Sequence, residues 1–140
     1  MSSKKVVVAG ATGYLGSKIV KALIEQGADV TAMVRAGSNR SKLQEMGVNN
    51  FVISDMMNPA LLKEALTTAH GFDAIVASAS GYTKHTKGDN ADTDTIGYKN
   101  LVDATKAAGI PRFVLISILV SDKAATVPHF HPKYLIEQYL

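Results

Sequence analysis

Three glycines stand at equal intervals in GATGYLG: Gly10, Gly13 and Gly16 lie between an apolar run, Val6 to Ala9, and an amphipathic run that begins at Tyr14. Backbone stripped of side chains where a helix starts can do anion chemistry. The first-turn N–H groups have no partner within the helix, and the positive end of the dipole favours phosphate. Gly10, Thr12, Gly13, Tyr14, Leu15 and Gly16 are therefore candidates to hold a diphosphate. Gly10 would permit a tight turn, Gly13 a close approach of ligand to backbone, and Gly16 close packing of helix on strand. A glycine-rich turn that holds no ligand is the alternative. The spacing differs from the common dinucleotide fingerprint, whose second glycine falls where Thr12 stands, and no lysine follows Gly16 as a P-loop requires.

A second group is basic. Arg35 closes what reads as the second strand, and Ser38, Arg40 and Lys42 follow it. A carboxylate at that place would pair with free ribose hydroxyls, whereas an arginine fork suits a 2′-phosphate, so NADP(H) is expected over NAD(H). Asp29 stands at the wrong end of the strand to reach a ribose, and a solvated basic loop is the alternative for Arg40 and Lys42. His129 and His131, two apart, raise the question of metal; without nearby carboxylates or thiols no metal is expected.

The elements that must position these residues alternate. Val6–Ala9, Asp29–Val34, Asn50–Ile53, Asp73–Ala77 and Arg112–Ser117 read as strands; helices are expected over Tyr14–Gln26, Ser41–Met46, from Pro59, over Asp94–Ala108 and from Pro132. Leu15, Ile19 and Leu23 fall four apart and predict the buried stripe of the first helix, and Asn58-Pro59 gives an N-cap followed by proline at the first helical position. Serine, glycine and charged residues from Ser78 to Asn90 read as a long functional loop. Repeated βα units predict an α/β fold, a doubly wound parallel Rossmann sheet ordered 3-2-1-4-5. Ligands bind such sheets at the carboxyl ends of the strands, where the order reverses, which places Ala77, Ser78 and Ala79 beside the glycines.

Composition narrows the function classes. The 140 residues are 46% hydrophobic and 19% charged, with a net charge of +3 spread along the chain and no cysteine. One domain over 1–140 is expected, with no disulfide, no nucleic-acid partner and no membrane span. The start MSSKK runs straight into a strand without a secretory pattern, and a cytoplasmic location is expected.

With these residues in view, VVVAGATGYLGSKIVKALIEQG, VRAGSNRSKL and NLVDATKAAGIPRFVLIS resemble the atypical short-chain dehydrogenase/reductases, and HFHPKYLIEQYL resembles their NmrA-like and isoflavone-reductase-like branch. The resemblance covers nearly the whole chain. It implies an N-terminal NAD(P)-binding lobe without the C-terminal substrate lobe, and it implies that Asp55, with Met56 beside it, faces the adenine amino group; a plain turn aspartate is the local alternative. The short-chain pattern of a tyrosine one helical turn before a lysine is absent, since His129 stands four before Lys133 and Pro132 intervenes. The isoflavone-reductase-like arrangement implies that Lys133 works with the cofactor ribose and in proton transfer, with Ser117 in a substrate-binding position. His129 is a further candidate donor, because an unperturbed imidazole changes charge near neutral pH. An exposed first-turn lysine and a structural strand-end serine are the alternatives.

Three functions remain. The first is an NADPH-dependent reductase of a small carbonyl, quinone or conjugated aromatic; the second an NADP(H)-sensing regulatory domain without turnover; the third, ranked last for want of the tyrosine, a nucleotide-sugar epimerase or dehydratase fragment. The apolar Leu135, Ile136, Tyr139 and Leu140 lead to the further expectation that a second copy or another chain covers the last helix.

Overall fold

The computed structural model describes residues 2–81 and 91–140. Of the long loop expected from Ser78 to Asn90, residues 82–90 therefore lie outside the described residues. Five parallel strands form one sheet in the order β3-β2-β1-β4-β5, as the alternation of elements predicts. They are β1 (Lys5–Ala9), β2 (Asp29–Val34), β3 (Asn50–Ile53), β4 (Ala74–Ala77) and β5 (Phe113–Leu115), joined by α1 (Tyr14–Glu25), α2 (Ser41–Glu45), α3 (Pro59–Thr68) and α4 (Ile96–Ala107), with α5 (His131–Tyr139) last. Strand β1 is central, pairing with β2 on one side and β4 on the other.

The period of two along β1 divides the core into two layers. Val7 and Ala9 face one cluster with Leu62 and Leu66 of α3, Tyr98 and Leu101 of α4 and Ile136 of α5. Val6 and Val8 face the other, with Val20 of α1 and Leu43 of α2. A sheet covered on both faces explains why its strands read as continuous apolar runs. Helix α3 begins as expected: Asn58 Oδ1 accepts the Leu61 N–H at 3.0 Å, and Pro59 occupies the first turn, where its missing N–H costs nothing.

Three local expectations shift. In α1 Ile19 and Leu23 pack against the core as the stripe predicts, but Leu15 is exposed, and the buried positions are Gly16, Ser17 and Val20, where Gly16 packs against the Gly10 carbonyl. Strand β5 is shorter than Arg112–Ser117, since its one neighbour, β4, ends at Ala77; the last bond from it is the Ile116 N–H to the Ala77 carbonyl. Helix α4 starts at Ile96, after a 3₁₀ turn over Ala91–Asp94. No helix among the described residues is long and apolar enough to cross a membrane.

Candidate functional site

A cleft of about 590 Å³ opens at the carboxyl ends of the strands, across the point where the strand order reverses. Gly10, Thr12, Gly13, Tyr14, Leu15 and Gly16 form its β1–α1 wall, Arg35 and Ser38 the end beyond β2, Asp55 and Met56 the side beyond β3, and Ser78 and Ala79 the side beyond β4. The segments that follow four strands thus bring these residues together, as their positions in the sequence imply.

The three glycines have different reasons. Gly10 adopts φ +81°, and a Cβ there would lie 2.6 Å from the Ala79 nitrogen. A Cβ at Gly16 would lie 1.8 Å from the Gly10 carbonyl oxygen. Both positions must be bare for the chain to pack on itself. Gly13 differs: its φ of −72° and ψ of 171° suit any residue, and the nearest atom to a Cβ is the Gly10 oxygen at 3.3 Å. Gly13 is also the N-cap of α1 and supplies no side chain to bond the first-turn N–H groups. The cleft therefore ends against backbone donors and the positive end of a helix.

Asp55 lines the cleft, and its Oδ1 accepts the Met57 N–H at 2.8 Å in a local turn. Asn100 of α4 donates to the Met56 carbonyl at 2.9 Å and so fixes this wall to the helix behind it. On the other wall the Ser78 hydroxyl donates to the Ala9 carbonyl at 3.0 Å, stapling β4 to β1.

Other expected residues lie outside the cleft lining. Lys42 is on the exposed side of α2, and Arg40 stacks on Phe51 with 5.4 Å between guanidinium and ring centre. Ala77 is fully buried in the sheet, one residue short of the lining. His129 is exposed, its ring edge-on to Phe130 with centroids 4.3 Å apart. Ser117 donates its hydroxyl to Glu137 in a short hydrogen bond. The Lys133 ammonium stands 4.7 Å from the centre of the Tyr98 ring, a cation–π arrangement. Burial pushes the Lys133 pKa below the ordinary lysine value, against the opposing pull of the Asp94 carboxylate.

Tyr98 and Asp94 are the residues that motif reading missed. Tyr98 is 1% exposed, and its hydroxyl donates to the Ala79 carbonyl at 2.6 Å; burial first and Asp94 second push its pKa up. Asp94 is buried and accepts the Gly81 N–H at 3.0 Å and the Ser80 hydroxyl at 3.5 Å. Together they grip Ala79, Ser80 and Gly81, all in the cleft wall. A carboxylate and a phenol four apart at the start of a helix lie on one face, which is the signal that was available. Ser54, in the cleft wall beyond β3, carries a buried hydroxyl without a hydrogen-bond partner, and nothing in the local sequence distinguishes it.

The model of the NmrA-like family matches residues 2–140. The chain belongs to the NmrA-like family. This NmrA-like chain is 33% identical over 135 residues to the Photosystem II assembly factor Ycf39 of Cyanophora paradoxa, covering 96% of the chain and 40% of that relative. It is 32% identical over 127 residues to a 2-alkyl-3-oxoalkanoate reductase of Stenotrophomonas maltophilia, covering 89% of the chain and 36% of the reductase. Among solved structures, the Bordetella bronchiseptica enzyme WbmH in complex with NAD+ superposes with a TM-score of 0.78 at 26% identity, over 99% of this chain and 52% of WbmH. The NmrA-like chain thus spans about two-fifths of the length of these two curated relatives.

Proposed function

We propose that this chain binds a nicotinamide dinucleotide along the cleft, prefers NADP(H), and is the cofactor-holding part of a reductase of small carbonyls, quinones or conjugated aromatics. Gly13 carries the reading. Within the chain a Cβ there would meet one backbone oxygen at 3.3 Å, a tight contact but far looser than those at Gly10 and Gly16, and a side chain would project where a diphosphate meets the amides of α1. Arg35 and Ser38 at the far end suit a 2′-phosphate, and no carboxylate closes β2. The likeness to WbmH, which holds NAD+, supports dinucleotide binding, and the likeness to a named reductase supports the reductase reading.

A bound nicotinamide supplies the hydride; this chain's residues hold it and manage the proton. The backbone of α1 and the glycine turn would take the diphosphate, Arg35 the 2′-phosphate, Asp55 the adenine and Ala79 the central part. Lys133 is the proton-handling group of the proposal, because a desolvated ammonium gives up its proton more readily than a surface lysine. Tyr98 is unsuited to that work: its proton is committed to the Ala79 carbonyl, and burial holds it there.

One observation favours the regulatory reading, binding without turnover: Lys133, Ser117 and His129 do not line the cleft. Titration with NADPH and NADH, followed by an acceptor screen, separates the two. NADPH is expected to bind at least about tenfold tighter than NADH, a difference of about 1.4 kcal/mol, and Arg35→Ala to erase that margin. Preference for NADH would overturn the assignment of Arg35. Acceptor-dependent NADPH oxidation that disappears in Lys133→Ala supports the reductase, and tight binding without oxidation of any acceptor supports the sensor.

A further inference from the structure

Helix α5 has nine residues and sends one side chain, Ile136, fully into the core, while Leu135 and Tyr139 remain exposed. A single apolar peg fixes where a helix sits but leaves its rotation about the peg to other forces. Here those forces are polar: Tyr139 ties the far end of the helix to Asp103 of α4 at 2.7 Å, and Glu137 ties the turn next to Lys133. Both oxygens of the Glu137 carboxylate are taken, Oε1 by the Ser117 hydroxyl and Oε2 by the Ser121 hydroxyl at 2.7 Å. Ser117 follows β5, and Ser121 begins the next 3₁₀ turn, so one carboxylate ties α5 to both ends of the intervening turn. That turn includes Val120 at φ 51° and ψ 43°, a left-handed conformation that a β-branched residue keeps only when its surroundings impose it. Glu137 lies four residues after Lys133, on the same helix face, and Lys133 stands over Tyr98.

We propose that Glu137 is a positioning residue: its carboxylate, clipped by Ser117 and Ser121, sets the rotation of α5 that seats the Lys133 ammonium against the Tyr98 ring. A carboxylate suits this place better than an amide, because both serines donate and a carboxylate offers two acceptors and no donor. The two hydroxyls hold the Glu137 carboxyl below the ordinary range, Ser117 contributing more than Ser121. The consequence for turnover rests on the reading of Lys133 given above; the positioning itself does not.

The test follows the ε-carbon resonance of Lys133 through a pH titration of the full chain, assigned by its disappearance in Lys133→Arg. The parent midpoint is expected below the ordinary lysine value. Glu137→Ala is expected to move it at least halfway back toward that ordinary value, and Glu137→Gln to fall between the two, with backbone amide spectra otherwise like the parent. A Glu137→Ala midpoint equal to the parent's overturns the proposal. Should Glu137→Ala fail to fold, Ser121→Ala gives the same reading from a smaller change: a raised midpoint supports the clip, and an unmoved one overturns it. NADPH titration of the parent in parallel keeps the failures apart, since loss of nucleotide binding sinks the proposed function and leaves the Lys133 midpoint to decide the role of Glu137.

Discussion

At the mouth of α1 the chain withholds its side chains; at the root of α5 it crowds them together and bonds them to one another. Gly10 and Gly16 let β1, α1 and the end of β4 meet backbone to backbone, and Gly13 leaves the amide end of the helix facing a cleft. Around α5, by contrast, Glu137 holds two serines, Tyr139 donates to Asp103 of α4 at 2.7 Å, and Lys133 rests on Tyr98. A bare backbone surface leaves its donors to a ligand from outside, whereas the polar side chains around α5 satisfy one another. Ligand affinity should therefore reside at the first region, and the second should govern the electrostatics of one lysine.

Replacing the glycines one at a time tests the first half of that contrast with the largest effects. At Gly16 a methyl would sit 1.8 Å from a backbone carbonyl that has nowhere to go. Gly16→Ala is expected to destabilise the chain by about 3 kcal/mol or more in urea unfolding, at the high end for overpacking. At Gly13 the same methyl meets that oxygen at 3.3 Å, tight but far short of the overlap at Gly16, so Gly13→Ala should cost about 1–2 kcal/mol, an alanine N-cap with a slight local shift. Its NADPH affinity should nonetheless fall by about tenfold or more, roughly 1.4 kcal/mol. Parent-like NADPH binding by Gly13→Ala would show that this mouth holds no diphosphate.

The same contrast explains what could be read from the sequence. The strand order, the capped start of α3 at Asn58-Pro59 and the cleft wall of Gly10 to Gly16 all depend on local rules: period, cap chemistry and where backbone must be bare. Local rules are written into adjacent residues. The surroundings of Lys133 are not, because Tyr98 comes from another helix far away in the chain, and Ser117 turns toward a glutamate rather than the cleft. The exposed Leu15 belongs with these, since the close approach at Gly16 buries the adjoining face of the first turn, while Ile19 and Leu23 follow the hydrophobic spacing onto the core.

Tyr98 joins the two regions, and its hydroxyl gives an effect of intermediate size. Tyr98→Phe keeps the ring under Lys133 but deprives the Ala79 carbonyl of its donor at 2.6 Å. A stability loss of about 1–2 kcal/mol is expected, the usual consequence of leaving a buried acceptor short of a partner. NADPH affinity should fall less than in Gly13→Ala, because Tyr98 shapes one strand end while Gly13 meets the ligand. A larger fall in Tyr98→Phe would mean that the two regions are a single site and that the division drawn above is wrong.

The smallest effect concerns Lys133 and pH. Burial lowers its pKa in the folded chain, so between that lowered value and the ordinary lysine value the unfolded chain binds a proton that the folded chain does not. Stability rises with pH wherever the unfolded state holds more protons, so this lysine contributes a rise through that alkaline window. Below the window both states carry the proton, and the cost of burying the ammonium is present in full. Tyr98 acts in the opposite sense and at higher pH: its pKa is raised in the folded chain, so the unfolded chain loses that proton first and stability falls. Tyr98 is present in both proteins when the parent is compared with Lys133→Met, and the difference between their stability curves isolates the lysine. That difference should change with pH just below the ordinary lysine value and level off on either side. A difference that stays flat across the window would mean that Lys133 is as well solvated as a surface lysine, and the side-chain network at α5 would then be open to water in the same way as the cleft at α1.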